Sequence, residues 1–212
     1  DARIVHRLLS QRVVQHDAIL AMLALLQPAA DGGGDAVLAR LPSVYPQVLA
    51  VQRSDAAAPW ASAALREAEQ RSRQTRRPVL AEADLARGRY ALVLAAEPAS
   101  YALRIDLQSM VPWSEWPASP QSSPVAMALA LGGQRFVLQP GRSEGAGWTY
   151  GFQKHLAADS QPFDVVAQRH VGWLELPWAR MVAAAALVAA LLAALHWLQR
   201  QQAARRRAEE LL

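Results

Sequence analysis

The chain has 212 residues, a formal net charge of +4 and no cysteine. This length allows one domain of ordinary size or two small ones, and the lack of cysteine excludes disulfides, thiol catalysis and cysteine–zinc sites. The arginines are scattered and form no continuous basic face, so binding to nucleic acid is not expected.

The chain begins with a predicted long helix over residues 1–27, in which apolar residues recur at helical spacing and no glycine or proline occurs. Steps of three and four residues, as in a coiled-coil seam, connect His6, Leu9, Val13, His16, Leu20 and Leu23. Two arrangements fit this spacing. Either two copies of the helix pair in a parallel homodimer, or one helix packs on its own domain.

A mixed helix–strand region follows this helix. Asp35 is expected to cap a short helix after the glycine-rich loop at residues 31–35. Alternating apolar residues predict a first strand over residues 45–53. Residues 59–75 are predicted to form a second helix, because a proline lies at its start and another follows its end.

Six more strands are predicted in three sequence-adjacent pairs. They cover residues 90–94 and 101–107, 125–131 and 134–139, and 148–156 and 162–170. A segment with four prolines, VPWSEWPASPQSSP, separates the first pair from the second. Because neighbouring strands pair with each other, we expect antiparallel sheets and the α+β class.

Two arginines and four aromatic residues form the candidate ligand site. Arg104 projects opposite to the apolar face of its strand, and Arg89 heads the neighbouring strand. They would bind a carboxylate if this face forms a cavity and would be ordinary surface charges if it faces solvent. Candidate walls of the cavity are Tyr90, Tyr101, Trp113 and Trp116. The two tryptophans must either line a pocket or cap the core, and capping is the favoured arrangement.

The sequence contains no metalloprotease, serine-hydrolase or phosphate-loop motif, so neither enzymatic activity nor a cofactor is expected of this chain. His155, Asp159 and His170 could meet across the last pair of strands. These three residues lack the local spacing of a zinc site, and we expect no metal.

Residues 177–198 are predicted to form a transmembrane helix, because about 20 apolar residues span a bilayer core of roughly 30 Å. Trp178 and Trp197 stand at its ends, where an aromatic belt lies. Arginines are concentrated after this segment, which predicts a cytoplasmic C-terminus and residues 1–176 outside the cytoplasm. The alternative is a buried helix of a soluble bundle, but no polar stripe interrupts the segment. Export of the domain predicts a further transmembrane helix before Asp1.

The order of these elements resembles the extracytoplasmic sensor region of proteobacterial two-component sensor histidine kinases. The segments VYPQVLAV, GRYALVLAAEPASYALRIDL, GGQRFVLQPG and HLAADSQPFDVVAQRHVGWLELPW are similar to that group, and the likeness covers nearly the whole chain. It implies a PAS-like sensor domain over residues 28–176, either as one lobe or as two sub-lobes over residues 42–111 and 124–171. A central antiparallel sheet would hang from the N-terminal helix, and the protein would work as a homodimer.

The resemblance also implies a location and partners. Residues 1–176 would lie in the periplasm, anchored in the bacterial inner membrane, and residues 199–212 would begin a cytoplasmic coiled-coil linker. A kinase half after Leu212 would address a response regulator, and a small-molecule ligand or another stimulus would act on the periplasmic domain. The alternative is a membrane-tethered scaffold or protein-binding domain without a kinase. A tethered hydrolase is disfavoured, because no catalytic set is present.

Overall fold

A computed structural model describes residues 2–26, 33–117, 119, 123–142 and 146–209 and confirms the α+β class. The helices are α1 (Ala2–Leu26), α2 (Gly33–Val44), α3 (Ala63–Thr75), α4 (Leu107–Met110) and α5 (Trp178–Glu209). The strands are β1 (Val48–Ser54), β2 (Val79–Asp84), β3 (Arg89–Leu94), β4 (Ser100–Asp106), β5 (Val125–Leu131), β6 (Gln134–Gln139), β7 (Gly147–His155) and β8 (Asp164–Gly172). Single turns of 3-10 helix cover Trp113–Glu115 and Trp173–Glu175.

The strands form two four-stranded antiparallel sheets. The first has the order β1-β4-β3-β2 and the second the order β6-β5-β8-β7. The sequence predicted every strand except β2. A bulge between Leu80 and Glu82 shifts the register of β2 against β3, so the alternation that signals a strand is broken within this segment.

Two details at the start of the domain differ from the sequence-based expectation. Helix α2 begins at Gly33, so Asp35 lies within its first turn and not at the residue before it, where a capping residue was expected. The candidate dimer seam, made of Leu9, Val13, His16, Leu20 and Leu23, is buried inside the chain's own domain. The seam assignment is therefore wrong, and the alternative of a helix packed on its own domain is the observed one. The spacing of apolar residues could not distinguish the two arrangements. A helix that packs on a sheet and a helix that packs on a second helix bury the same stripe of side chains.

One hydrophobic core joins α1 to both sheets. Its contributors include Leu9 and Leu20 from α1, Leu92 and Leu103 from the first sheet, and Val165 from the second. The opposite face of the first sheet packs on a smaller cluster that contains Leu65 and Ala68 of α3. The first sheet therefore lies between α1 and α3.

The two predicted sub-lobes each contain one of the sheets. Their buried side chains nevertheless belong to the same core, and residues 1–144 and 148–170 form one compact unit. The shared core and the single compact unit show that the sub-lobes are two halves of one domain.

The second compact unit comprises residues 145–147 and 171–212. Within the described part of the chain, one helix is long and apolar enough to cross a membrane: Trp178–Gln201, with a mean hydropathy of 2.2 and none of its apolar window buried. Trp173 stacks on Trp178 with ring centroids 6.0 Å apart. Helix α5 continues without a break to Glu209, so most of the predicted linker is helical, and residues 210–212 lie outside the described residues.

Candidate functional site

Two predicted ligand-binding residues, Arg89 and Arg104, lie on the same face of the first sheet. Arg104 of β4 lies opposite Ala91 of β3, which places it diagonally across from Arg89. A groove of about 190 Å³ opens there. Besides the two arginines it is lined by Arg87, Glu82, Asp84, Tyr90 and Ala91.

The charges of this groove are unequally satisfied. Arg87 pairs with Asp84 (Nε–Oδ2 3.6 Å), and Glu82 accepts a hydrogen bond from the hydroxyl of Ser62 (2.6 Å). Arg89 and Arg104 are exposed and make no hydrogen bond or ion pair with any residue that the structure describes. The groove therefore presents two free guanidinium groups, a pair suited to a carboxylate.

The energy available from these two groups is small. An exposed ion pair stabilises by about 0–1 kcal/mol because water competes for both charges, whereas a dissociation constant of 1 mM requires about 4 kcal/mol. Arg89 and Arg104 alone therefore support binding weaker than millimolar. A tighter ligand must also contact the apolar part of the groove around Ala91.

Tyr90 is among the residues that line this groove, but its ring is buried, and Tyr101, Trp113 and Trp116 do not line it. The rings of Tyr90 and Tyr101 point to the opposite face of the sheet and are buried in the core. Successive side chains of a strand alternate between faces, so residues 89 and 90 could not both project into one groove. Burial raises the pKa of Tyr101, and the nearby Arg53 offsets part of that rise.

Trp113 and Trp116 also lie away from the arginines. Their ring centroids are 5.3 Å apart, and Trp116 packs against the core and donates from Nε1 to Oε1 of Gln139 (2.9 Å). Trp113 is 39% exposed. The tryptophans therefore cap the core, the second of the two arrangements that the sequence allowed.

The three residues that could have formed a zinc site each have other neighbours. Asp159 pairs with Arg77 (3.5 Å), and Nδ1 of His155 lies against Oδ1 of Asp164. His170 contacts the hydroxyl of Thr149 at 3.5 Å. No group of three potential metal ligands occurs among the described residues.

A second site, which the sequence did not reveal, is a polar network inside the core. It consists of His16 and Asp17 on α1, Tyr90 on β3, and Ser160 and Gln161 in the connection between β7 and β8. The hydroxyl of Tyr90 lies 2.6 Å from Oε1 of Gln161 and 3.0 Å from Nδ1 of His16. Gln161 donates from Nε2 to the carbonyl oxygen of Val13 (2.8 Å) and to Asp17 (3.2 Å), and Ser160 donates to Asp17 (2.7 Å). The network links α1 to elements of both sheets.

These contacts assign the proton on His16. The amide of Gln161 donates from Nε2, so its Oε1 is an acceptor and the Tyr90 hydroxyl must donate to it. That hydroxyl has no second proton, and the Nδ1 atom of His16 therefore carries the hydrogen that it donates to Tyr90. The remaining ring nitrogen, Nε2, is an unprotonated, buried atom without a hydrogen-bond partner among the residues that the structure describes.

Burial governs the ionisation of the network. It lowers the pKa of His16 to about 4. A hydrogen bond between Nδ1 of His16 and Oε1 of Gln161 (3.3 Å) offsets part of this shift, and the charge of Arg12 adds to it. Burial raises the pKa of Asp17, against the hydrogen bonds from Ser160 and Gln161. It also raises the pKa of Tyr90 well above its usual value. At neutral pH the core therefore holds a neutral imidazole and a neutral phenol.

Comparison with protein-family models, with curated proteins and with solved structures finds no match for this chain. The function of the arginine groove and of the polar network must therefore be inferred from their own geometry. The chemistry it offers is recognition of an anion at the arginine groove and proton exchange in the core.

Proposed function

We propose that this chain is the signal-sensing and transmembrane region of a two-component sensor histidine kinase, and that it relays an extracytoplasmic stimulus to a cytoplasmic kinase half. The observation that carries this proposal is helix α5. It follows a folded domain after a short connection, it is unburied over a membrane-length window, and it continues as a helix into an arginine-rich segment. A helix that is apolar on all sides in a chain of this size is typical of a membrane span.

The orientation follows from the charge distribution. Arginines at positions 200 and 205–207 follow the apolar segment, whereas the 20 residues before Met181 contain two arginines. The positive-inside rule then places the C-terminus in the cytoplasm and residues 1–176 in the periplasm of a bacterial inner membrane. The two sheets with α1 would form the PAS-like sensor domain.

The stimulus in this proposal is a small organic anion at Arg89 and Arg104. A thermal-shift screen of mono-, di- and tricarboxylates on the full chain in detergent tests it. At ten times its dissociation constant a ligand should stabilise the fold by about 1.4 kcal/mol. The double variant Arg89→Ala/Arg104→Ala should lose the shift. The variant Arg3→Ala/Arg135→Ala, which removes the same charge at exposed positions elsewhere, should keep it. A carboxylate that stabilises all three proteins equally argues against this site.

The sensor would be a homodimer that pairs through the exposed side of α1. Exposed residues recur there with steps of three and four, as in a helix pair: Ile4, Arg7, Gln11, Val14, Ala18, Ala21 and Leu25. Both copies enter from the same membrane face, so the helices would be parallel. Cysteine in place of Val14 should cross-link two copies in the membrane, and cysteine in place of the buried Val13 should not. Equal cross-linking at both positions would contradict this pairing.

A chimera tests the relay itself. Residues 1–212 would be inserted between the first transmembrane helix and the cytoplasmic half of a characterised sensor kinase. We expect a carboxylate from the screen to change phosphate transfer by the chimera, and the Arg89→Ala/Arg104→Ala chimera to be unresponsive. Phosphate transfer that is the same with and without the periplasmic domain would contradict a sensing role.

The second candidate is a membrane-tethered protein-binding domain. It is favoured by strand β7, an edge strand whose Trp148 and Tyr150 are 44% and 64% exposed, because exposed aromatic residues are typical of binding surfaces. The chimera separates the two candidates. A protein-binding domain predicts that Trp148→Ala/Tyr150→Ala abolishes partner binding and that no small anion alters phosphate transfer.

A further inference from the structure

The polar network is a link between elements that are distant in the sequence. It joins α1 to β3 and to the β7–β8 connection through the hydrogen bonds of His16, Tyr90 and Gln161. The end of the network at Tyr90 has apolar neighbours. The ring of Tyr90 packs edge-on against Phe163 with centroids 5.0 Å apart, and its hydroxyl lies 3.7 Å from the sulfur of Met110 on α4. Few polar contacts therefore hold α1 in register on the two sheets.

Among the nitrogen and oxygen atoms of this network, Nε2 of His16 is the buried one without a hydrogen-bond partner among the described residues. Asp17 already accepts from Ser160 and Gln161, and the amide of Gln161 and the phenol of Tyr90 are engaged on both sides. The unprotonated Nε2 of His16 is buried, and no group in the described part of the chain bonds to it. A proton that binds there creates a buried N–H without an acceptor, which costs about 1–3 kcal/mol by itself, and adds a charge in a low-dielectric core.

We propose that His16 is a proton-binding site and that the network is an acid-operated latch: when the outside compartment acidifies, proton uptake at Nε2 of His16 releases α1 from β3 and from the β7–β8 connection. The proton adds to the lone pair, and no covalent bond breaks. The imidazolium is stable only when water reaches the ring, so protonation selects the arrangement in which α1 has moved off the core. The stimulus is the hydronium ion, and it needs no ligand in the arginine groove.

Charged groups on every neighbouring element determine the direction of the response. On α1, Arg12 disfavours a second positive charge. Asp17 works against the latch, because burial raises its pKa, and the β7–β8 connection adds Asp159, which raises it further. On β3 the facing group is the Tyr90 phenol, which stays neutral throughout the acidic range. His16 is therefore the group of the network that drives opening on acidification.

The expected size follows from linkage. With a pKa of about 4 in the closed arrangement and 6.5 for a solvated imidazole, lowering the pH from 7 to 5 should increase the open population about 20-fold. The measurement is hydrogen–deuterium exchange of the α1 backbone amides in the full chain in detergent micelles, corrected for the intrinsic pH dependence of exchange. Protection of the amides around residues 13–20 should fall about 20-fold between the two pH values.

Three variants make the test specific. His16→Gln should show little change in protection between pH 7 and 5, whereas His6→Gln, at a partly exposed histidine of the same helix, should behave like the parent chain. Asp17→Asn removes the opposing carboxyl group. Its change in protection between pH 7 and 5 should therefore be as large as that of the parent chain or larger. If His6→Gln abolishes the pH response, or if His16→Gln retains it, the latch is wrong.

A direct titration covers the case in which His16→Gln fails to fold. In the parent chain with 13C-labelled histidine, the Cε1 resonance of His16 should not titrate until the pH approaches 4. A titration midpoint near 6.5 in the folded protein would overturn the proposal. The latch goes beyond the proposed sensing function and is tested without a kinase. A latch that opens in a chimera whose phosphate transfer ignores pH would support the latch and contradict the relay.

Discussion

Helices α1 and α5 are both long, and their apolar side chains meet opposite environments. In α1 a single stripe is buried, from Val5 to Leu23, and the other side mixes polar residues with exposed apolar ones such as Ile4, Val14 and Leu25. In α5 no residue of the membrane-length window is buried, and Leu187, Leu191 and Leu192 are each more than 60% exposed. A one-sided stripe indicates a helix that rests on a protein core. Apolar residues on all sides indicate a helix whose whole surface must leave water.

The comparison predicts that core truncations in the two helices have very different effects. Leu20→Ala on α1 empties a fully buried position and should destabilise the domain by about 2–5 kcal/mol. Leu187→Ala on α5 should leave domain stability unchanged, because the side chain of Leu187 is exposed. Urea unfolding of the full chain in detergent, followed by tryptophan fluorescence, measures both. Equal losses would mean that α5 packs on the domain.

Introducing a charge should disfavour membrane insertion only when it is placed on α5. Leu191→Arg places a charge near the middle of the apolar window and should disfavour membrane insertion by about 3 kcal/mol. Arginine in place of Val14, on the exposed side of α1, should have no effect on insertion. A glycosylation-based insertion assay reports both variants.

A shortened chain that ends after Glu175 should be soluble without detergent. A full-length chain that is monodisperse without detergent would contradict a membrane helix.

His16, the histidine in the buried stripe of α1, predicts that the stability of the domain depends on pH. The unfolded chain takes up a proton on His16 near pH 6.5 and the folded chain only near pH 4, so the unfolded state binds more protons in between. Stability therefore falls as the pH falls, by about 2 kcal/mol between pH 7 and 5. Urea midpoints of the parent chain and His16→Gln at both pH values give the contribution of His16 by difference. A parent chain that loses no more stability than the variant would refute this prediction.

The smallest effect concerns a second polar anchor on α1. The hydroxyl of Ser10 accepts a hydrogen bond from the backbone N–H of Ala157 (3.2 Å) in the β7–β8 connection. Ser10→Ala should cost about 1 kcal/mol, because it leaves that partly buried N–H without its acceptor. The neighbouring exposed change Gln11→Ala is the control and should cost nothing. Thermal unfolding in parallel resolves the difference, and identical melting temperatures would show that this bond adds no stability.

Local sequence predicted most of the secondary structure, because each signal was complete within one segment. Gly132 and Gly133 both have positive φ in the observed hairpin between β5 and β6, the conformation that glycine adopts without steric cost. The sequence-based prediction was wrong at strand β2 and for the direction of two tyrosine rings. Strand β2 carries a bulge against its partner, and the rings of Tyr90 and Tyr101 were assigned to the arginine face although the alternation of a strand directs them to the other one.

The sequence by itself determined the α+β class, the amphipathic character of α1, the apolar helix α5 and the shared face of Arg89 and Arg104, because periodicity and strand pairing are properties of neighbouring residues. Only the tertiary structure decided what covers the buried stripe of α1 and which polar groups meet it. His16, Tyr90 and Gln161 are separated by 74 and 71 residues along the chain, and no spacing rule connects them. Their contact depends on how α1 packs against two sheets, which is a property of the assembled core.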